Sequence, residues 1–180
     1  RAWPNMAKLF GETFFLRAMW FDSVYSNSTP GTGDLAKLYD SPADDTFTAW
    51  PDRAELSGDS LSVRVNSFRW VHSYSTEGDD VATFYGSDGR DVFVGKDRLG
   101  KLRGTDFYNR ALFYGKVNVY GGGGRDVAVL HDAVLKKRFV QPDGMAQVAW
   151  LYEFERFRQR SDGDETIIDA VDQVFTAYWQ

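Results

Sequence analysis

Asp34-Leu35-Ala36-Lys37-Leu38-Tyr39 returns as Asp80-Val81-Ala82-Thr83-Phe84-Tyr85 and again as Asp126-Val127-Ala128-Val129-Leu130-His131. The step is constant (80 − 34 = 126 − 80 = 46). A fixed period in this range marks an array in which each unit buries its apolar face on a neighbour. The copies agree beyond this phrase. Ser41 returns as Ser87, Asp45 as Asp91, and Phe47 as Phe93 and Phe139. Leu56 and Gly58 return as Leu102 and Gly104, and Val71 and Tyr74 as Val117 and Tyr120. A less regular copy precedes these, since Trp3-Pro4 with Ala7, Leu9 and Gly11 matches Trp50-Pro51 with Ala54, Leu56 and Gly58. Units therefore run approximately over 1–33, 34–79, 80–125 and 126–160. The chain opens partway through a unit, on Arg1, so we expect a fragment of a longer polypeptide with further repeats upstream.

Inside a unit the apolar residues alternate: Ala36 with Leu38, Ala82 with Phe84, Ala128 with Leu130. Period two predicts half-buried strands. Turn-formers separate them, among them Gly31-Thr32-Gly33, Glu77-Gly78 and Gly121-Gly122-Gly123-Gly124. Regular short strands with Gly-rich corners imply an all-β protein. Two architectures fit the unit length: a β-solenoid, and a propeller whose blade is one unit. The expectation is the solenoid, right-handed and parallel β-helix-like, because a propeller must close its ring while a solenoid tolerates truncation if its ends are capped. Matching residues of successive units are then expected as neighbours in space.

The pattern changes near the C-terminus. Ile167, Ile168, Val171, Val174, Phe175 and Tyr178 form one apolar stripe at helical spacing, with Asp162 or Asp164 placed to cap its start. The expectation is a short helix over 161–180 that covers the open end of the array.

Composition narrows the function classes. With 180 residues, 43% of them hydrophobic and 16% aromatic, the chain can bury a real core. The net charge of −5 argues against a nucleic-acid backbone as partner, and the basic run Lys136-Lys137-Arg138 reads as a solvated corner. There is no cysteine, hence no disulfide or thiolate metal site. No apolar run approaches membrane-spanning length and no secretory signal is visible. Neither His72 nor His131 lies in a nucleophile pattern, and neither a Gly-x-Ser-x-Gly elbow nor a phosphate loop occurs. Carboxylates are plentiful at the turns, including Asp44, Asp79, Asp80 and Asp88, but Asp is common there for backbone reasons. Trp3, Trp50, Trp70 and Trp150 are either core and seam residues or a sugar-binding platform.

Gly86-Ser87-Asp88-Gly89-Arg90-Asp91-Val92-Phe93-Val94 resembles the hemolysin-type (RTX) calcium-binding nonapeptide, Gly-Gly-x-Gly-x-Asp-x-apolar-x. Glycines turn the chain so that carbonyls are presented, and Asp adds a hard anionic oxygen of the kind calcium takes. The preceding unit keeps Asp45 and Phe47 but not the glycines. Asp45, Asp88 and Asp91 are accordingly the candidate calcium ligands, provided that stacked units bring Asp45 and Asp91 into register along one edge.

The whole unit is similar to repeats near the ends of very large bacterial surface or secreted proteins, notably of planctomycetes. The shared features are Leu38-Tyr39-Asp40-Ser41, Asp44-Asp45-Thr46-Phe47, the Leu-x-Gly at Leu56, and the closing Asp169-Ala170-Val171-Asp172 with Val174-Phe175 and Tyr178-Trp179. The resemblance implies an extracellular or cell-envelope location. The expected function is a non-catalytic structural or adhesive module at the C-terminal end of a larger protein, calcium being its candidate cofactor. Polysaccharide, other envelope proteins and upstream repeats are the expected partners. The alternative, which rests on fold analogy, is a carbohydrate-binding or polysaccharide-degrading β-helix module using paired carboxylates.

Overall fold

Alternation in sequence becomes alternation in burial. In Val81–Tyr85, Ala82 and Phe84 point inward while Val81, Thr83 and Tyr85 point outward. The computed structural model describes residues 1–13, 15–138, 147–169 and 174–179. The first copy supplies β1 (Ala2–Trp3), β2 (Met6–Phe10), β3 (Phe15–Met19) and β4 (Val24–Asn27). The next supplies β5 (Leu35–Tyr39), β6 (Thr46–Ala49), β7 (Arg53–Gly58), β8 (Leu61–Asn66) and β9 (Trp70–Tyr74). The third supplies β10 (Val81–Tyr85), β11 (Val92–Lys96), β12 (Leu99–Arg103), β13 (Tyr108–Leu112) and β14 (Lys116–Tyr120). The remainder gives β15 (Val127–His131), β16 (Val134–Lys136), β17 (Gln147–Tyr152), β18 (Arg156–Ser161), β19 (Asp164–Asp169) and β20 (Phe175–Trp179).

These strands build a two-sheet β-solenoid of about four turns. One sheet, here sheet A, runs β19-β18-β15-β11-β12-β13-β9-β5-β1-β2-β3, and sheet B runs β16-β20-β17-β14-β10-β6-β7-β8-β4. No blades radiate from a centre, so the propeller alternative is set aside.

The repeat is laid out in an unexpected way. The unit 34–79 puts β5 and β9 in sheet A and the antiparallel meander β6-β7-β8 in sheet B. The unit 80–125 does the reverse, with β10 and β14 in sheet B and the meander β11-β12-β13 in sheet A. Successive units are thus related by a half-turn about the stacking axis. Equivalent residues 46 apart lie in opposite sheets, which corrects the expectation that they stack edge to edge. Parallel neighbours are instead a coil apart: Leu35 beside Trp70, Thr46 beside Val81, Val81 beside Lys116, Val92 beside Val127. The physical reason is the meander. Its two extra strands widen one sheet by two places and leave the chain to resume coiling on the other side.

The core is a file of rings along the axis. Centroids step from Phe47 to Phe84 (6.1 Å), Phe93 (6.4 Å), Phe154 (6.4 Å), Phe157 (5.9 Å) and Phe175 (4.1 Å). Phe47 and Phe93 therefore share a neighbour, Phe84, although their sheets differ. Phe139 lies outside the described residues.

The C-terminal helix expected over 161–180 is corrected to strands: β19 pairs antiparallel with β18, and β20 enters sheet B between β17 and β16. Ile167 is exposed while its neighbour Ile168 packs on the core, which is strand behaviour. Val171 lies outside the described residues. Sheets A and B would each end in a row of unpaired backbone groups at β18 and β17. A strand satisfies those groups and a helix does not. The β-branched Thr166, Ile167 and Ile168 also favour the extended form. The capping role survives: Phe175, Ala177 and Trp179 are buried, and the Trp179 indole N–H donates to the His131 carbonyl at 2.7 Å. No described residue belongs to a helix, so no described helix is long and apolar enough to cross a membrane.

Candidate metal centre

Crossings between sheets are made by stacked six-residue corners. At one end of β10, 40–45 (Asp-Ser-Pro-Ala-Asp-Asp) lies beside 75–80 (Ser-Thr-Glu-Gly-Asp-Asp). At the other end, 86–91 (Gly-Ser-Asp-Gly-Arg-Asp) lies beside 121–126 (Gly-Gly-Gly-Gly-Arg-Asp). Each closes on Asp, and these aspartates tie the coils together. The Asp45 N–H donates to Asp80 Oδ1 at 2.7 Å, and the Asp91 N–H to Asp126 Oδ1 at 2.7 Å. The Asp126 N–H donates in turn to Glu155. Within a corner, Ser41 gives its N–H and its hydroxyl to Asp45 Oδ2, both at 2.7 Å, and Ser87 does the same for Asp91.

The glycines that recur with these aspartates now have a reason. A Cβ on Gly58 would meet Asp45 Oδ1 at 1.8 Å, and one on Gly104 would meet Asp91 Oδ1 at 2.3 Å. Both glycines make room for the corner carboxylate.

The first corner pair gathers three buried carboxylates, those of Asp40, Asp45 and Asp80, with a ligand oxygen from each within 4.8 Å of the others. Asp40 accepts from Thr76 N–H and Oγ1 (2.8 Å each), and Asp80 accepts the Ser75 hydroxyl at 2.7 Å. Asp45 Oδ1 is buried and has no hydrogen-bond partner among the described residues. Burial holds the Asp40 carboxyl above its ordinary range, and the adjoining Asp80 carboxyl adds to the shift while Thr76 opposes it. Three buried carboxylates brought this close together supply hard oxygen donors of the kind a divalent cation takes. At the second corner pair burial likewise pushes Asp126 up to about 7; the Asp91 N–H opposes this, and Asp91, Glu155 and Glu153 add to it.

The sequence candidates are thereby separated. Asp45 belongs to the buried trio. Asp91 is buried at the opposite end of β10, with Ser87 and Asp126, and Asp88 is exposed on that second corner. Asp45 and Asp91 do not come into register along one edge, because the half-turn sends them to different edges. Asp40 and Asp80, absent from the sequence candidates, complete the trio. The signal for Asp80 was the 35-residue offset from Asp45, and Asp40 has no counterpart at that offset, where Ser75 stands.

The outer faces carry aromatic ladders at or near this offset, with steps of 32 to 36 residues. Trp50, Tyr85, Tyr120 and Tyr152 stack at 5.5, 5.0 and 4.6 Å with nearly parallel planes. Trp3, Tyr39 and Tyr74 do so on sheet A at 4.8 and 4.9 Å. Arg53 lies over the free face of Trp50 at 4.1 Å. Trp150 is buried and Trp70 is at the surface. No family model, no curated protein and no solved structure matches this chain.

Proposed function

We propose that the chain is a non-catalytic structural or adhesive module of a larger secreted or cell-envelope protein, stabilised by calcium at the Asp40–Asp45–Asp80 corner. The observation that carries this reading is that the residues kept by the repeat serve stacking. The corner aspartates accept N–H and hydroxyl donors, Gly58 and Gly104 make room for them, and the ring faces are used up in ladders. The acid pair Asp40 and Asp80 is buried and in contact, unlike the pair of glycosidase carboxylates held roughly 5–10 Å apart across a substrate. Calcium is the favoured ion because carboxylate and carbonyl oxygens in a loop corner suit its coordination.

Further units of the same polypeptide are the partner this reading places against β3 and β4. Leu9, Phe15, Leu16 and Tyr25 are exposed there beside an apolar cavity of ≈ 390 Å³, whereas the other end is covered by β16 and β20. The test is thermal unfolding with calcium and with chelator. Calcium is expected to raise the melting temperature of the parent and not of an Asp45→Asn variant. Equal melting in both media removes the metal from the reading. The scaffold part predicts that Asp45→Ala and Asp91→Ala both lower the urea midpoint, and unchanged midpoints would remove it.

A further inference from the structure

The net charge is negative, yet sheet A shows solvent a basic face. Its outward row runs Lys37, His72, Arg110 and Lys101 on β5, β9, β13 and β12, one strand apart. Burial and the flanking Arg110 and Lys37 push His72 down to about 4, as a crowd of cations should. The acidic residues of this sheet include Asp164, Glu165 and Asp169 on the edge strand β19, and others lie at the corners.

On this face β11 and β15 carry short side chains. Val92, Val94, Val127 and Val129 form the floor of a trough of ≈ 340 Å³. Longer cations wall it: Lys101 and Arg103 from β12 on one side, Arg158 from β18 on the other, and Arg90 at one end. None of these four forms an ion pair among the described residues, and Arg158 Nε is buried without a hydrogen-bond partner. The neighbouring Arg156 and Arg160 do have partners, Asp169 and Glu165, each at 2.8 Å. Cations without an ion pair among the described residues therefore line both walls of the trough.

We infer that this trough binds an acidic polysaccharide, a chain of uronate or sulfated sugars lying between the β12 and β18 walls. The inference rests on the adhesive reading above and names what is adhered to. Anionic groups along a sugar chain pair with Lys101, Arg103 and Arg158, and the apolar C–H face of a ring rests on the valines. A peptide is disfavoured because β11 and β15 are hydrogen-bonded on both sides and offer no edge for main-chain pairing. A nucleic acid is disfavoured because His131 is the single ring among the lining residues, too few to stack successive bases.

The experiment is retention of the 180-residue chain on immobilised polygalacturonate at about 0.15 M ionic strength. Dextran, poly-L-glutamate and a thymidine oligonucleotide are the comparison surfaces. Retention on polygalacturonate and not on dextran is expected, and it falls as salt is added. The double variant Lys101→Gln, Arg158→Gln should bind about tenfold or more weakly, since each lost contact is a hydrogen bond to a charged group. Its melting temperature should match the parent. Arg64→Gln, on sheet B, should bind as the parent does. If the first double variant loses its melting transition, Arg90→Gln with Arg103→Gln probes the same walls. No retention, equal or better retention on poly-L-glutamate or oligonucleotide, or parent-like binding by a folded trough variant would each overturn the inference. None of these outcomes touches the scaffold reading, which is tested by stability.

Discussion

Replacing Gly86 by Ala should unstack two coils. The new Cβ would lie 1.9 Å from the Gly121 carbonyl oxygen and 2.6 Å from Asp91 Oδ2. One obstacle is backbone and the other is a carboxylate fixed by Ser87, so neither can swing aside. Restoring ordinary contact needs the corners to separate by more than an ångström. That movement lengthens the Gly86 N–H bond to Tyr120 (2.9 Å), the Gly123 N–H bond to Ser87 (3.1 Å) and the Asp91 N–H bond to Asp126 (2.7 Å). Each broken bond costs about 1 kcal/mol net, and about 1–3 kcal/mol where the group stays buried, so the substitution costs roughly 3–5 kcal/mol. That is a large share of the ~5–15 kcal/mol that holds a domain together. Urea denaturation followed by tryptophan fluorescence measures it: with a slope of about 2 kcal/mol per molar, the midpoint should fall by about 2 M. Gly89→Ala is the control, since its Cβ meets nothing closer than Ser87 Oγ at 3.5 Å. It should be neutral or stabilise by up to about 1 kcal/mol. A fall of less than about 0.5 M for Gly86→Ala, or equal falls for the two variants, would refute close coil contact at this corner.

Acidification should stabilise the protein through Asp126. Its folded pKa of about 7 lies above the unfolded value of 3.8, so the contribution is complete below pH 3.8 and lost as pH rises through 7. Between pH 8 and 5 the gain is roughly 3 kcal/mol, and Asp126→Asn should abolish that part of the slope in thermal melts; an unchanged slope counts against the buried carboxyl. Phe113 holds φ of 70° in an exposed turn, and the equivalent Ser67 holds 61°. Asn tolerates this region better, so Phe113→Asn should raise stability by up to about 1 kcal/mol in urea titrations; a loss would show that the ring is needed. Tyr120→Ala removes stacking on both Tyr85 and Tyr152 and should cost about 1–3 kcal/mol, whereas loss of solvent-like ring mobility differences in Tyr120 NMR signals between folded and unfolded chains would argue that the ladder is not formed.

Strand character was legible because alternation such as Ala82 and Phe84 needs a single buried face, and that is a local property. The 46-residue period was equally plain, but a period reports which residues are equivalent and not which residues touch. Contact follows a second offset, visible once Asp45 is set against Asp80, Asp91 against Asp126, Tyr39 against Tyr74, and Trp50 against Tyr85 and Tyr120. The two periods coexist because the meander adds strands without adding coils. The candidate site was half legible for the same reason: Asp45 was found by its repeat, but its companions are Asp40, at a different position of the same unit, and Asp80, the first residue of the next unit. Asp88 and Asp91 were drawn in by a resemblance between corners that the half-turn keeps apart. At the C-terminus, the stripe through Ile167, Ile168 and Phe175 satisfied helical spacing. What decided against a helix was the set of unpaired edges at β17 and β18, which no local pattern in the tail contains.

Because the chain has no cysteine, introduced pairs can report the stacking cleanly. Thr48 and Thr83 are register partners on adjacent parallel strands, while Val94, the 46-residue equivalent of Thr48, lies in the opposite sheet. Oxidation of Thr48→Cys with Thr83→Cys should give an intramolecular disulfide, since neighbouring strands hold Cα atoms within the roughly 4.4–6.8 Å such a bond spans. Thr48→Cys with Val94→Cys should remain reduced as a monomer. Cross-linking of the second pair and not the first would contradict the half-turn between units.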